Sequence, residues 1–223
     1  MYQSPDYKRS RALYMAQCTF EYFVTLFIAD AFLAKLLTYL GISDSLIGII
    51  SSFVNLAFMF QLLTVFVAGK ITNYKRTVIT VQMVSMLLYL SMYLLPFLPL
   101  SGTTKTAVVV GSILIGQIGM YFVFSYLYKW ANSFVEPTRR ARYSAVKEMI
   151  SVLSGIVVTL IAGAVVDHFE AIGNLEGGFI FISISILILI ACNLVSLLLI
   201  KGDTEEKQAV AKISIKDIVK NVF

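Results

Sequence analysis

The sequence predicts an all-α integral membrane protein, a bundle of six transmembrane helices with both termini on the cytoplasmic side. Of its 223 residues, 58% are hydrophobic and 14% charged, and the mean hydropathy is +0.83; soluble domains run at about 45–50% apolar and about 25% charged. The apolar residues gather into six runs, each long enough for a bilayer that takes about 20 residues per helical crossing. If these runs cross in alternation, sixteen of the 18 Lys and Arg residues fall on one side, which is the bias of cytoplasmic loops. This composition excludes a soluble globular enzyme, a disordered chain and a disulfide scaffold. The runs are too long, and too free of period-two alternation, for a β-barrel. The net charge of +5 is accounted for by topology, so the partner it implies is the lipid bilayer and not nucleic acid.

The runs lie near 15–39, 44–68, 77–100, 106–130, 143–166 and 177–200. A polar stretch precedes the first, which at about 25 residues exceeds the roughly 7–15 of a signal-peptide core and stays in the mature protein. Gly41-Ile42-Ser43-Asp44 supplies a helix stop and then an N-cap. Pro96 and Pro99 end the third run, and Ser101-Gly102 turns the chain. Pro137 breaks the fourth connection; Gly173-Asn174 and Gly177-Gly178 break the fifth. Lys8, Arg9 and Arg11, then Lys70, Lys75 and Arg76, then the group from Lys129 to Lys147, then the tail lysines mark the cytoplasmic side. Lys35 and Lys105 are left outside. Residues 1–200 thus form the bundle and 201–223 a cytoplasmic connector. In the connector, Ile215, Ile218, Val219 and Val222 recur at helical spacing with lysines between them, an amphipathic pattern suited to a membrane surface.

Cys18 and Cys192 sit inside apolar runs as packing residues, and His168 is the one histidine. No metal site or cofactor is expected. An intramembrane metalloprotease needs a histidine pair, and no nucleophile or phosphate-loop motif stands in the sequence.

Two basic loops carry a family resemblance. Gly69-Lys70-Ile71-Thr72-Asn73-Tyr74-Lys75-Arg76 looks like a shortened form of the G-x-x-x-D-R-x-G-R-R loop of the major facilitator superfamily (MFS): Gly69, Lys75 and Arg76 match, and Asn73 stands at the acidic position. Glu136-Pro137-Thr138-Arg139-Arg140-Ala141-Arg142-Tyr143 resembles the family's P-x-x-R-G-R-Y stretch, with Ala141 for glycine. In the fourth run Gln117 matches the R-x-x-Q-G pattern, whereas Leu114 and Ile118 depart from it. The G-P-x-x-G antiporter pattern lacks its proline, which argues against proton antiport. The overall pattern resembles bacterial members of the superfamily. The resemblance implies one six-helix half of an MFS fold, with Ile213–Phe223 similar to the segment before a seventh helix. The missing partner is then a C-terminal six-helix half or a second copy. It also implies a gating role for the loop residues Gly69, Asn73, Lys75, Arg76, Arg140 and Arg142.

Ionisable groups deep in a span mark candidate sites. In the first run Gln17, Glu21 and Thr25 form one stripe that continues to Ile28, Phe32 and Lys35. Asp30, nine positions from Glu21, falls on the opposite face of a continuous helix. Glu21 either faces a cavity or pairs with a basic group on a neighbouring helix. In the fourth run Gln117, Tyr121, Ser125 and Lys129 recur every four residues, offering hydrogen bonds and ring faces to a polar or amphipathic solute. Asn55 is the mid-span candidate of the second run, ahead of Gln61. Lys147 and Glu148 sit at the inner mouth, where a gate with Arg140 or Arg142 is expected. Trp130 reads as an interfacial anchor and Asp167 as a solvated cap. The third and sixth runs read as peripheral, which leaves the stripe Gln82, Ser85, Tyr89 and Tyr93 unexplained.

The function these readings support is secondary active transport of a small polar or amphipathic solute by alternating access in a multi-pass plasma (inner) membrane protein. Substrate-binding candidates are Gln17, Glu21, Thr25, Asn55, Gln117, Tyr121 and Ser125; gating candidates are the loop residues above and Glu148. The alternative is a non-transporting membrane module, such as a truncated relic or an assembly subunit.

Overall fold

The computed structural model describes residues 4–62 and 73–201. Among them seven α-helices follow one another: α1 (Pro5–Phe27), α2 (Asp30–Tyr39), α3 (Asp44–Leu56), α4 (Tyr74–Leu94), α5 (Gly102–Phe134), α6 (Arg140–Ala171) and α7 (Leu175–Leu199). No strand occurs among the described residues. Four of these helices, α4 to α7 with their flanking turns, are long and apolar enough to cross a membrane. The second apolar run begins as α3 and passes into a tight 3-10 turn, Ala57–Leu62; its remainder, with Gly69, lies outside the described residues.

Polar residues set the helix starts. Ser4 Oγ accepts from the Tyr7 amide at 3.4 Å, with Pro5 in the first turn, a position where its missing N–H costs nothing. Ser101 Oγ accepts from the Thr104 amide at 3.3 Å, and Asn174 Oδ1 from the Gly177 amide at 3.2 Å. The 33 residues of α5 span about 50 Å at 1.5 Å per residue, more than a hydrocarbon core of about 30 Å. Its ends therefore project beyond the apolar layer.

The first apolar run is two helices, not the one continuous helix that hydropathy implies. After Phe27 the chain closes on itself, Ile28 N–H donating to the Thr25 carbonyl at 3.2 Å, and Ala29 is extended. Asp30 then takes φ +45°, the one non-glycine residue with positive φ among the described residues. An L-residue in that region costs about 1–2 kcal/mol. A break inside a membrane requires new donors for the freed carbonyls, and α4 supplies one: the buried Tyr93 hydroxyl donates to the Phe27 carbonyl. The break re-phases the helix, so the stripe drawn from Glu21 through to Lys35, and the opposition of Asp30 to Glu21, do not carry across it. Tyr93→Phe is expected to destabilise the bundle by about 1–3 kcal/mol, the cost of a buried unpaired carbonyl, measured by chemical unfolding in detergent.

The third and sixth spans are central to the packing. The most extensive helix pairings are α4 with α5 and α1 with α7, and α4 also packs on α7. One core cluster joins Phe27, Leu36, Met86, Tyr89, Tyr93, Phe179 and Ile186. A second, toward the basic end, joins Tyr14, Val123, Tyr126, Phe134 and Leu197. Helix α7 is apolar on nearly every side, broken only by Asn193 and a few serines. The face turned inward carries Ser183, Asn193 and Ser196, while Ile184, Leu187 and Val195 are exposed. Helix α6 is the least covered, with Met149, Leu153, Ile156 and Leu160 more than half exposed.

Candidate functional site

Glu21 is the centre of a polar cluster on α1. Both amides that meet it donate to the same carboxylate oxygen, Oε2: Gln17 Nε2 from one turn earlier at 2.7 Å, and Gln82 Nε2 from α4 at 2.7 Å. Gln17 and Gln82 are fully buried, whereas Glu21 keeps partial exposure. Asn193 on α7 donates to the Gln17 carbonyl at 3.3 Å. Two helices therefore meet at the carboxylate, and a third, α7, is tied to the backbone of Gln17 beside it. Charge-assisted hydrogen bonds of this length are among the stronger ones a protein makes. Neither expected arrangement describes Glu21 fully: two neutral amides hold it where a basic partner was one of the alternatives. A peripheral reading of the third run leaves Gln82 outside the candidate set. The signal that points to it is the stripe Gln82, Ser85, Tyr89 and Tyr93, all four buried on one face of α4.

The remaining candidates divide. Thr25 Oγ1 donates to the Tyr22 carbonyl of its own helix at 2.7 Å. On α5, Gln117 is buried, and Tyr121 and Ser125 are half-buried. Gln61 Nε2 donates to Ser125 Oγ at 3.3 Å, tying the second span to the fourth. The Asn55 side chain lies outside the described residues. Helix α5 also packs against α1, which brings the two polar stripes onto neighbouring helices.

At the basic end, cations cap helix C-termini. Lys75 Nζ donates to the Leu198 and Ile200 carbonyls at 2.8 and 2.9 Å. Arg140 reaches the Asn132 carbonyl at 2.8 Å and the Val135 carbonyl at 3.3 Å. Arg11 donates to the Phe134 carbonyl at 2.9 Å, and Tyr143 donates to the Arg11 carbonyl at 2.6 Å. The last carbonyls of a helix lack intrahelical partners and carry partial negative charge, so cations there satisfy both needs. Lys147 and Glu148 pair with each other at 2.7 Å, and Arg140 is turned to the backbone carbonyls of Asn132 and Val135. Arg76 and Arg142 are exposed. Trp130 is 4% exposed, with Lys75 Nζ 5.6 Å from the centre of its ring, and is a core residue where an interfacial anchor was expected.

Asn73 is the N-cap of α4, its Oδ1 accepting from the Arg76 amide at 3.0 Å. Asparagine and aspartate cap equally well, and loss of such a cap costs about 0.5–2 kcal/mol. Asn73→Ala is therefore expected to lower stability by that amount and Asn73→Asp to leave it unchanged, in the same unfolding measurement.

The opposite end holds an acidic clasp. Lys35 Nζ on α2 contacts Asp167 Oδ1 at 2.8 Å and Glu170 Oε2 at 2.7 Å, and the Tyr39 hydroxyl donates to Glu176 at 2.6 Å. Asp167, read from the sequence as a solvated cap, is thus part of an ion pair. The clasp links α2 to the end of α6 and the start of α7.

Among the described residues no group of three or more His, Cys, Asp or Glu side chains could hold a metal ion. The arrangement is a largely buried carboxylate braced by buried amides, beside a helix lined with glutamine, tyrosine and serine. Such groups offer hydrogen bonds and a carboxylate.

No curated protein and no solved structure matches this chain. The family profile described as Major Facilitator Superfamily matches residues 15–223, nearly the whole sequence. The chain belongs to the Major Facilitator Superfamily, whose members transport solutes across membranes.

Proposed function

We propose that the chain acts as the N-terminal six-helix half of a secondary active transporter, moving a small polar or amphipathic solute by alternating access. The observation that supports this most directly is Glu21, a mid-span carboxylate that keeps partial exposure while the two amides bracing it are buried. Charged groups at that depth cost about 2.5–3.5 kcal/mol on insertion scales and persist where they serve a pathway. Gln17, Glu21, Thr25 and Asn55 on the first two spans, with Gln117, Tyr121 and Ser125 on the fourth, form the solute-facing set in this reading. Gly69, Asn73, Lys75, Arg76, Arg140, Arg142 and Glu148 belong to the gating end. Polar groups left facing hydrocarbon cost several kcal/mol, so the face that carries Glu21 is covered by a C-terminal half or by a second copy.

In this reading the basic end is cytoplasmic, both termini lie there, and the membrane is the inner (plasma) membrane. Residues 41–45, 101–105 and 167–176 then lie outside. Single cysteines introduced into a background without Cys18 and Cys192 test this: an impermeant reagent added outside labels those loops and leaves position 138 untouched. The function is tested in liposomes. Residues 1–223 as a monomer show no saturable flux. An assembly with a second half shows it and loses it with Glu21→Gln or Tyr121→Ala. Saturable flux through the monomer overturns the half-transporter reading. Flux absent from every assembly favours the non-transporting module.

A further inference from the structure

The donors around Glu21 are already spent. An ionised carboxylate only accepts, so each amide must present its nitrogen to it. Gln17 Nε2 and Gln82 Nε2 both bond Oε2, each at 2.7 Å. The other oxygen, Oε1, accepts no hydrogen bond among the described residues and is not enclosed. The side-chain oxygens of Gln82 and Asn193, Oε1 and Oδ1, are buried without a partner. What the cluster still offers is therefore acceptors, one open and two enclosed. A ligand that suits them brings hydrogen-bond donors.

The charge points the same way. Glu21 forms no ion pair among the described residues. The charged side chains that act on it through space are Lys147 and Glu148 of α6, and these pair with each other at 2.7 Å. Lys147 Nζ also lies 5.7 Å from the centre of the Tyr14 ring. The three groups together leave a single negative charge, and Glu21 is the one without a counterion. Water screens its open oxygen only until the face is covered. An uncompensated charge away from water is costly: a neutral solute leaves that cost in place, an anion adds to it and a cation removes it. We propose that the solute is a protonated amine, its ammonium group donating to Glu21 Oε1. A hard metal cation requires a shell of several oxygens, and of the oxygens without a partner in this cluster only one is open; an ammonium group is satisfied by a single carboxylate. This names the solute class of the transport site proposed above and rests on that reading.

The test reads binding apart from flux. The whole chain in mild detergent is titrated with benzylammonium, benzyl alcohol and benzoate, which share a ring and differ in charge, and binding is followed by saturation-transfer NMR. The cation is expected to bind roughly tenfold or more tightly than the alcohol, the yield of one hydrogen bond to a charged group, and benzoate is expected not to bind. Glu21→Gln keeps an acceptor and removes the charge; it is expected to abolish the preference for the cation, with unchanged helical circular dichroism checking the fold. Asp30→Asn removes a carboxylate from an exposed position of the same apolar run, where asparagine tolerates the positive φ, and is expected to change nothing. Equal affinities of the parent chain for benzylammonium and benzyl alcohol, or binding of neither, overturn the proposal. So does a preference that survives Glu21→Gln, and so does an equal loss in Asp30→Asn, which would show diffuse surface attraction. Displacement of benzylammonium by sodium ion at the same concentration overturns the amine assignment and makes the site one for an inorganic cation. Absence of flux from every assembly, with the Glu21-dependent preference intact, overturns the transport reading alone and leaves the site a binding site for amines.

Discussion

Glu21→Leu is expected to destabilise the bundle by about 2–6 kcal/mol, because it strands two buried amide donors at about 1–3 kcal/mol each. The donors are Gln17 Nε2 and Gln82 Nε2, both 2.7 Å from one carboxylate oxygen. Glu21→Gln keeps an acceptor in the same place and is expected to retain most of the stability while losing the charge. The pair of variants separates two roles that a single substitution confounds. If Glu21 serves the solute pathway, Glu21→Gln unfolds normally and abolishes flux. If its role is only structural, Glu21→Gln leaves flux intact and only Glu21→Leu, which removes the acceptor, lowers stability. Replacing Gln17 and Gln82 by leucine in the Glu21→Leu background is expected to recover much of the loss, since apolar groups of similar shape leave no orphaned donor. A Glu21→Leu protein as stable as the parent would mean that the amides find other partners and that the cluster carries little energy.

Gly116→Ala is expected to cost about 1–3 kcal/mol, the usual cost of overpacking. A methyl group there would sit 2.4 Å from Cε1 of Tyr89, inside any van der Waals contact. Tyr89 is completely buried, so its ring has nowhere to go, and α4 and α5 would have to part. Gly119, three residues on, is a useful control. Its added methyl would meet Ser85 Oγ at 2.3 Å, but a hydroxyl can rotate away, so Gly119→Ala is expected to cost less. Small residues that let helices approach closely are the usual basis of packing in a membrane, where burial from water supplies no force between helices. A neutral Gly116→Ala in thermal unfolding would show that the α4–α5 seam is looser than the contact implies.

These two sites also show where sequence reasoning stops. That Gln17 and Glu21 meet is legible from a spacing of four on one helix. That Gln82 completes the triad is not, because a stripe states which face of α4 is polar and not which helix that face meets. The same holds for Lys35 with Asp167, 132 positions apart in the chain, and for Tyr93 with Phe27, 66 apart.

Hydropathy and charge are sums over single residues. They suffice for an all-helical membrane chain, for helices along the third to sixth runs, and for the turns at Ser101, Pro137 and Asn174. The break at Ile28–Asp30 needed the folded molecule, since a helix interrupted in hydrocarbon survives only when another element satisfies the freed carbonyl. Tyr93 supplies that donor from α4. The central position of α4 and α7 was equally hidden. A helix as apolar as α7, broken only by Asn193 and a few serines, gives little sign of its inward face, and packing against α1 and α4 selects it.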